Sequence, residues 1–416
     1  MKIFSPDRSF ECNVSLPVPG VVADAHGVAR RHSKIVHMTS VHSALDVRIF
    51  HRHCKSLVRA GYEVVLIASH PQDAKVDGVQ IRAIPRRYNR LLRMTCSVWQ
   101  VFRQALREQA DVYHFHDPEL IPVGALLAAR GKCVVYDVHE DLPADVRYKP
   151  YLAAWLRPSL SWFIDRFEKA ASHWFSGIVS ATRPIADRFA LSNKNSIVVH
   201  NFPILDEVPV HLVPWDSRRS SIAYVGSITE ARGVRELVTA INLLPEYLNP
   251  RLVLAGSFAP TSLKDTMAEV PGWRRVDYLG VVDRCGVAKI LSSARIGAVI
   301  LHPEPNFVRA MPIKLFEYMA YGIPVVASDF PLWREMIQDA RCGLMVDPLD
   351  PRAIAKAIEY LLNHPAEAEA MGRRGREAVE RNYNWRGEEE KLMHFYRDLL
   401  QHASAARGYN PNAVEY

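Results

Sequence analysis

The sequence predicts an α/β protein made of two Rossmann-like domains with parallel sheets, and three observations carry that prediction. At 416 residues the chain exceeds what one ordinary hydrophobic core accommodates. From Lys34 onward, short β-branched runs alternate with amphipathic stretches, the pattern of a parallel sheet covered by helices on both faces. The alternation breaks once, in a proline-rich segment that follows Asn201-Phe202-Pro203 and runs to about Arg219, and then resumes.

In the first series, strands are expected at 35–38, 64–68, 79–81, 112–115, 133–136, 177–180 and 197–199, with helices at 49–60, 91–108, 120–129 and 160–173. The second series places strands at 221–226, 251–256, 276–280, 296–301 and 324–327, a helix at 353–362 and a last long helix at 385–401. Domain boundaries follow: an N-terminal extension over 1–32, a first domain over 33–202, a linker over 203–219 and a second domain over 220–384. Residues after Ala405 read as a frayed tail.

Composition narrows the class. Apolar residues make up 49% and charged residues 23%, as in a soluble globular protein, and the longest apolar runs, such as Val64 to Ala68, are strand-sized. The first 32 residues mix prolines and charges without an apolar segment of export type, so a cytoplasmic location is expected. Six cysteines are scattered singly with no Cys-x-x-Cys pair, against both a zinc site and a disulfide framework. A net charge of +7 and a pI near 9.0 favour an anionic partner. No reading helix or stacking signature points to nucleic acid.

The segment Met311 to Ser328 carries the most chemistry. Pro312 suits a first helical turn, which puts Lys314 beside free N–H groups and the positive end of the helix dipole, and Gly322-Ile323-Pro324 stops the helix before Val325-Val326. Glu317 follows on the same face, where a carboxylate can accept from two vicinal ribose hydroxyls. The alternative is a surface helix with an ordinary Lys–Glu pair. Gly226-Ser227 ends another strand, with Arg232 just before a helix: glycine admits a phosphate to the backbone, the Ser227 hydroxyl donates, and Arg232 clamps. The strand at 112–115 delivers His114-Phe115-His116-Asp117-Pro118 at its carboxyl end, where open α/β sheets bind ligands. A metal pair there lacks a third ligand at diagnostic spacing, and the plainer alternative is helix capping by Asp117 beside two satisfied histidines. Met38 to Phe50 holds Asp46 and Arg48, either bordering a pocket or serving as an N-cap and a solvated cation; His139, Glu140 and Asp141 are similarly placed. Arg86, Arg87, Arg90, Arg93, Arg103 and Arg107 interleave with Leu91, Leu92, Trp99 and Phe102, a basic amphipathic stretch suited to an anionic membrane surface or else a solvated helix face; the aromatic segment 148–162 adds to the membrane reading.

Residues 312–320 closely resemble the Pro-x-Lys-Leu-Phe-Glu-Tyr-Met-Ala signature of family 4 glycosyltransferases of the GT-B fold, and His114 to Pro118 resembles that family's His-Asp-Pro turn. The resemblance spans roughly 34–400 and implies two domains facing across a cleft, with a terminal helix over 385–404 crossing back to the first domain. It implies transfer of a sugar, with retention, from a nucleotide diphosphate sugar to an acceptor hydroxyl, with neither metal nor cofactor and with the donor held by Gly226, Ser227, Arg232, Lys314 and Glu317. Arg232 and Lys314 would stabilise the leaving diphosphate, and His116 would position the transferred sugar. By family habit the acceptor is a saccharide or lipid-linked saccharide of bacterial exopolysaccharide, capsule or lipopolysaccharide synthesis, reached at the inner face of the plasma membrane. One position departs: the family's first glutamate, eight residues before Glu317, is Arg309 here. A GT-B sugar-nucleotide epimerase or a non-catalytic sugar-nucleotide binding protein is the alternative.

Overall fold

The computed structural model describes residues 33–87, 89–148, 152–209 and 212–406, so the expected extension over 1–32 lies outside the described residues. The described chain divides into two compact units, one of residues 33–202 with 385–406, the other of residues 203–384.

The first unit is built on an eight-stranded sheet in the order β3-β4-β2-β1-β5-β6-β7-β8. Its strands are β1 (Lys34–Ser43), β2 (Glu63–Ser69), β3 (Ala74–Val76), β4 (Val79–Ile84), β5 (Val112–Phe115), β6 (Cys133–Val138), β7 (Gly177–Ser180) and β8 (Ser196–Val198). All pairings are parallel except β3–β4, a hairpin turned by Asp77-Gly78 with both residues at positive φ. The central strands are buried on both faces, which is why they read as continuous Val/Ile runs. Helices α1 (Val98–Glu108), α2 (Ile121–Ala128) and α3 (Arg157–Ser172) belong to this unit, with α2 packed against both α1 and α3. The terminal helix Trp385–Ala406 completes it, burying Trp385, Leu392, Phe395 and Tyr396.

The second unit holds an all-parallel six-stranded sheet in the order β11-β10-β9-β12-β13-β14. These are β9 (Ser221–Val225), β10 (Arg251–Ala255), β11 (Val276–Gly280), β12 (Ile296–Val299), β13 (Val325–Ser328) and β14 (Gly343–Val346). Helix α4 (Ile313–Ala320) precedes β13 and buries Leu315, Phe316, Tyr318 and Met319. It ends as the sequence predicts: Gly322 at φ 61° lets its N–H reach the Met319 carbonyl while the Ile323 N–H reaches that of Tyr318. Pro312 caps the helix from an extended conformation, so the first turn begins one residue later than expected.

Both sheets wind outward from their first strand in two directions. β1 lies between β2 and β5, and β9 lies between β10 and β12. Connections therefore leave on opposite faces at β1/β5 and β9/β12, and each unit has a crevice at the carboxyl ends of those strands. The expected site residues sit at these two switch points.

Candidate functional site

In the second unit the switch point is formed by the loop after β9 and the N-terminus of α4. Gly226 leaves β9 at φ 124°, and the Gly226 carbonyl presses so closely on Gly256 that a Cβ there would stand 1.8 Å from its oxygen. Glycine at 256 is what allows this close approach. Lys314, in the first turn of α4, is 8% exposed and extends to this turn, with its Nζ 3.8 Å from the centroid of the Tyr224 ring and without a hydrogen-bond partner among the described residues. Burial, then the nearby Arg232 cation, pushes the Lys314 ammonium down to about 7, against the opposing pull of Glu317. Arg232 is brought to the same place because the His302 N–H, in the loop after β12, donates to the Ala231 carbonyl at 2.8 Å, and its guanidinium lies over the Phe307 ring. Tyr318 fixes the floor, its hydroxyl accepting from the Val225 N–H at 3.1 Å. Ser227 is exposed at the mouth and Glu317 is half-buried one turn beyond Lys314. Two cations, one of them stripped of partners, converge beside backbone N–H groups and a helix N-terminus: the chemistry of an anion site. Gly226, Ser227, Arg232, Lys314 and Glu317 are thus gathered at one switch point. Arg309 is not among them in character: it is exposed and ends the short helix Pro305–Val308.

The first unit's switch point holds a buried array of histidines around one carboxylate. Parallel register sets His37 of β1 opposite His114 of β5, with His116 two residues on and Asp137 on neighbouring β6. Asp137 is fully buried and gripped by Arg48 through Nε at 2.9 Å and Nη2 at 2.7 Å. Burial alone would raise its carboxyl; the Arg48 guanidinium, helped by His139 and His116, holds it well below the usual range. Burial keeps His37, His53 and His114 neutral and brings His116 down to about 4.

With Asp137 an acceptor only, the proton order of the chain is forced. His116 donates from Nδ1 to Asp137 Oδ2 at 3.1 Å, so its Nε2 accepts from His37 Nδ1 at 2.8 Å. His37 Nε2 then accepts from the Tyr396 hydroxyl at 3.2 Å, whose oxygen accepts from His114 Nδ1 at 2.5 Å. Two sets of groups are close enough to be considered for a metal, His37/His53/His114 and His114/His116/Asp137. The rings of His37 and His114 stack at 25° and those of His114 and His116 at 11°, presenting faces where a metal needs converging lone pairs, and the carboxylate is taken by Arg48. The array fits a hydrogen-bonded chain better than a metal centre.

This geometry corrects several expectations. His116, expected to face a sugar, is 2% exposed with both ring nitrogens engaged inside the array, because its strand is buried on both faces. Two imidazoles beside the array do open to solvent, His139, whose Nε2 lies 3.3 Å from Asp137 Oδ2, and its ring neighbour His42. Sequence reasoning assigned His42 no role; its position at the carboxyl end of β1, as His139's just after β6, was the available signal. Arg48 is neither solvated nor at a pocket edge but buried against Asp137. Asp46 is an N-cap, accepting from the Arg48 and Ile49 N–H groups. Asp117 caps nothing with its side chain and instead accepts from Thr39 Oγ1, Ser40 N and Val41 N, tying the turn after β5 to the carboxyl-terminal half of β1. Of the basic stretch, Arg93 is ion-paired to Glu119 at 2.7 Å.

Residues 219–364 match the model for glycosyl transferases group 1, and residues 47–201 match a glycosyl transferase 4-like domain, so the two models together take in more than half of the chain. The chain is 26% identical over 339 residues to a phosphatidyl-myo-inositol mannosyltransferase of Mycobacterium leprae, covering 78% of this chain and 84% of that protein. It is 25% identical over 288 residues to the D-rhamnosyltransferase WbpZ of Pseudomonas aeruginosa, covering 67% and 70%. Among solved structures, sucrose-phosphate synthase from Thermosynechococcus elongatus superposes with a TM-score of 0.70 at 20% identity, over 89% of this chain and 100% of that one. Anabaena Alr3699/HepE, solved in complex with UDP and glucose, gives 0.66 at 13% identity, over 88% and 100%. With two parallel-sheet α/β units and both halves matched, the chain belongs to the family 4 glycosyltransferases, the glycosyl transferases of group 1, with the GT-B fold.

Proposed function

We propose that this glycosyltransferase takes its donor, a nucleotide diphosphate sugar, at the β9/β12 switch point and transfers the sugar with retention to a saccharide or lipid-linked saccharide of bacterial surface polysaccharide synthesis. The observation that carries the donor site is Lys314, a buried ammonium without a hydrogen-bond partner beside the Gly226 turn. A diphosphate there supplies the charge and acceptors that the site lacks. Lys314 and Arg232 stabilise the negative charge that grows on the leaving diphosphate, the Gly226-Ser227 turn donates to it, and Glu317 accepts from the ribose hydroxyls. On the first unit, His139 is a side chain of the array open to a substrate, and His116 positions it through Asp137. A relative named as a phosphatidyl-myo-inositol mannosyltransferase supports a lipid-linked acceptor. The site of action would then be the inner face of the plasma membrane.

The test is a thermal-shift screen against UDP, GDP, ADP and TDP and their common sugars, repeated with Glu317→Ala. One nucleotide is expected to raise the melting temperature of the native protein and to lose that effect in the variant. No shift with any of them overturns the donor site.

A further inference from the structure

Helix α3 is built inside out. Its buried positions are Ser161, Glu168 and Ser172, held by polar contacts: Ser161 Oγ donates to the Pro143 carbonyl at 2.8 Å, and Glu168 accepts from Tyr136 at 2.9 Å and from Arg188 at 2.7 Å. The outward face instead carries Leu160, Trp162, Phe163 and Phe167, the last three 60%, 60% and 45% exposed. Trp155 before the helix and Trp174 after it are 75% and 63% exposed. An amphipathic helix normally turns these faces the other way, and a run of exposed aromatic rings of this size marks a surface that something covers.

The charges say what covers it. Asp165 and Glu168, the two acids of α3, are paired with Lys169 and Arg188, while Arg166 lies exposed over the Trp162 ring. Across α2, which adds exposed Leu126, helix α1 presents Trp99 with exposed Arg103 and Arg107. Aromatic side chains with tryptophan at both ends of the helix, flanked by arginines, are the composition of a helix lying in an anionic lipid interface. We propose that the outer face of α3, extended by α1, docks this enzyme on the headgroup region of an anionic bilayer. This deepens the membrane-associated part of the function proposed above, and moves its centre from the basic stretch 86–107 to α3.

The experiment is flotation of the full chain with vesicles of phosphatidylglycerol in phosphatidylcholine and with phosphatidylcholine alone, for the native protein and for the triple variant Trp162→Ser/Phe163→Ser/Phe167→Ser. These side chains project outward, so the variant is expected to keep its melting temperature and its response to nucleotide. The native protein should float with the anionic vesicles and much less with the neutral ones, and the triple variant should lose at least about tenfold in partitioning. A native protein that stays in solution, or a variant that floats equally well, overturns the proposal. So does a native dimer that the triple substitution turns into a monomer without vesicle binding, since the face would then be covered by a second copy. Because nucleotide response is read separately, a native protein that responds to nucleotide but does not float with vesicles overturns the docking face and leaves the donor site standing.

Discussion

Arg48 and Lys314 are both buried cations, but they stand in opposite situations. Arg48 is fully compensated by Asp137, so Arg48→Ala should strand a buried carboxylate and cost about 3 kcal/mol or more, read as a drop in the urea midpoint. Lys314 has no such partner, and its ammonium titrates at about 7. Phosphate oxygens beside Nζ favour the charged form, so the bound state has the higher value. Donor binding then takes up a proton wherever the free lysine is neutral, and affinity falls as pH rises above 7, by at most about tenfold per unit. Calorimetric titration with a nucleotide sugar in two buffers of different ionisation heat should show proton uptake at pH 8 to 9 and little at pH 6; equal heats in the two buffers at pH 8 to 9 would contradict it. The placement of Lys314 at a helix N-terminus and of Gly226 and Arg232 in the turn after β9 was legible because each depends on helix and turn geometry within a few residues. The burial of His116 was not legible. It depends on strand neighbours and on Tyr396, a residue more than 250 positions away in the chain.

Among the elements, most strands of β-branched residues were read within a residue or two, because burial on both faces leaves little choice of composition; β1 and β4 run five and three residues past their expected ends, and β14 was not expected. β3 was missed since Ala-Lys-Val has no apolar run; Asp77-Gly78, a hairpin turn dipeptide, was the signal at hand. The inversion of α3 was also invisible: its aromatic spacing is that of a core-facing helix, and only the packed unit shows which face the sheet receives. The terminal helix contributes Trp385, Phe395 and Tyr396 to the first unit's interior, with Phe395 in the space beside Gly177. Ending the chain at Asn384 should therefore destabilise that unit beyond recovery at room temperature, visible as loss of near-ultraviolet dichroism and as insoluble protein. A soluble, cooperatively melting truncate would show that the helix is an accessory.

At the scale of the molecule, the same winding occurs twice, with a separate hydrophobic core in each unit. Scanning calorimetry is expected to resolve two transitions, only one of which rises with nucleotide, since the residues gathered for the donor all belong to residues 203–384; a single transition, or two that rise together, would mean that the units unfold as one. The polar seat of α3 bears on how the first unit breathes. Docking of this helix removes little hydrocarbon from water, and hydrogen bonds from Ser161 to the Pro143 carbonyl, from Tyr136 to Glu168 and from Ser172 to Ser192 hold it in place. Apart from the Glu168–Arg188 ion pair, such bonds trade almost evenly with solvent, so α3 is expected to open below global unfolding, which hydrogen exchange would show as faster exchange of its amides than of the central strands. Burying its aromatic face in lipid would supply the apolar contact the sheet withholds, making the helix firmest when the enzyme is on its membrane.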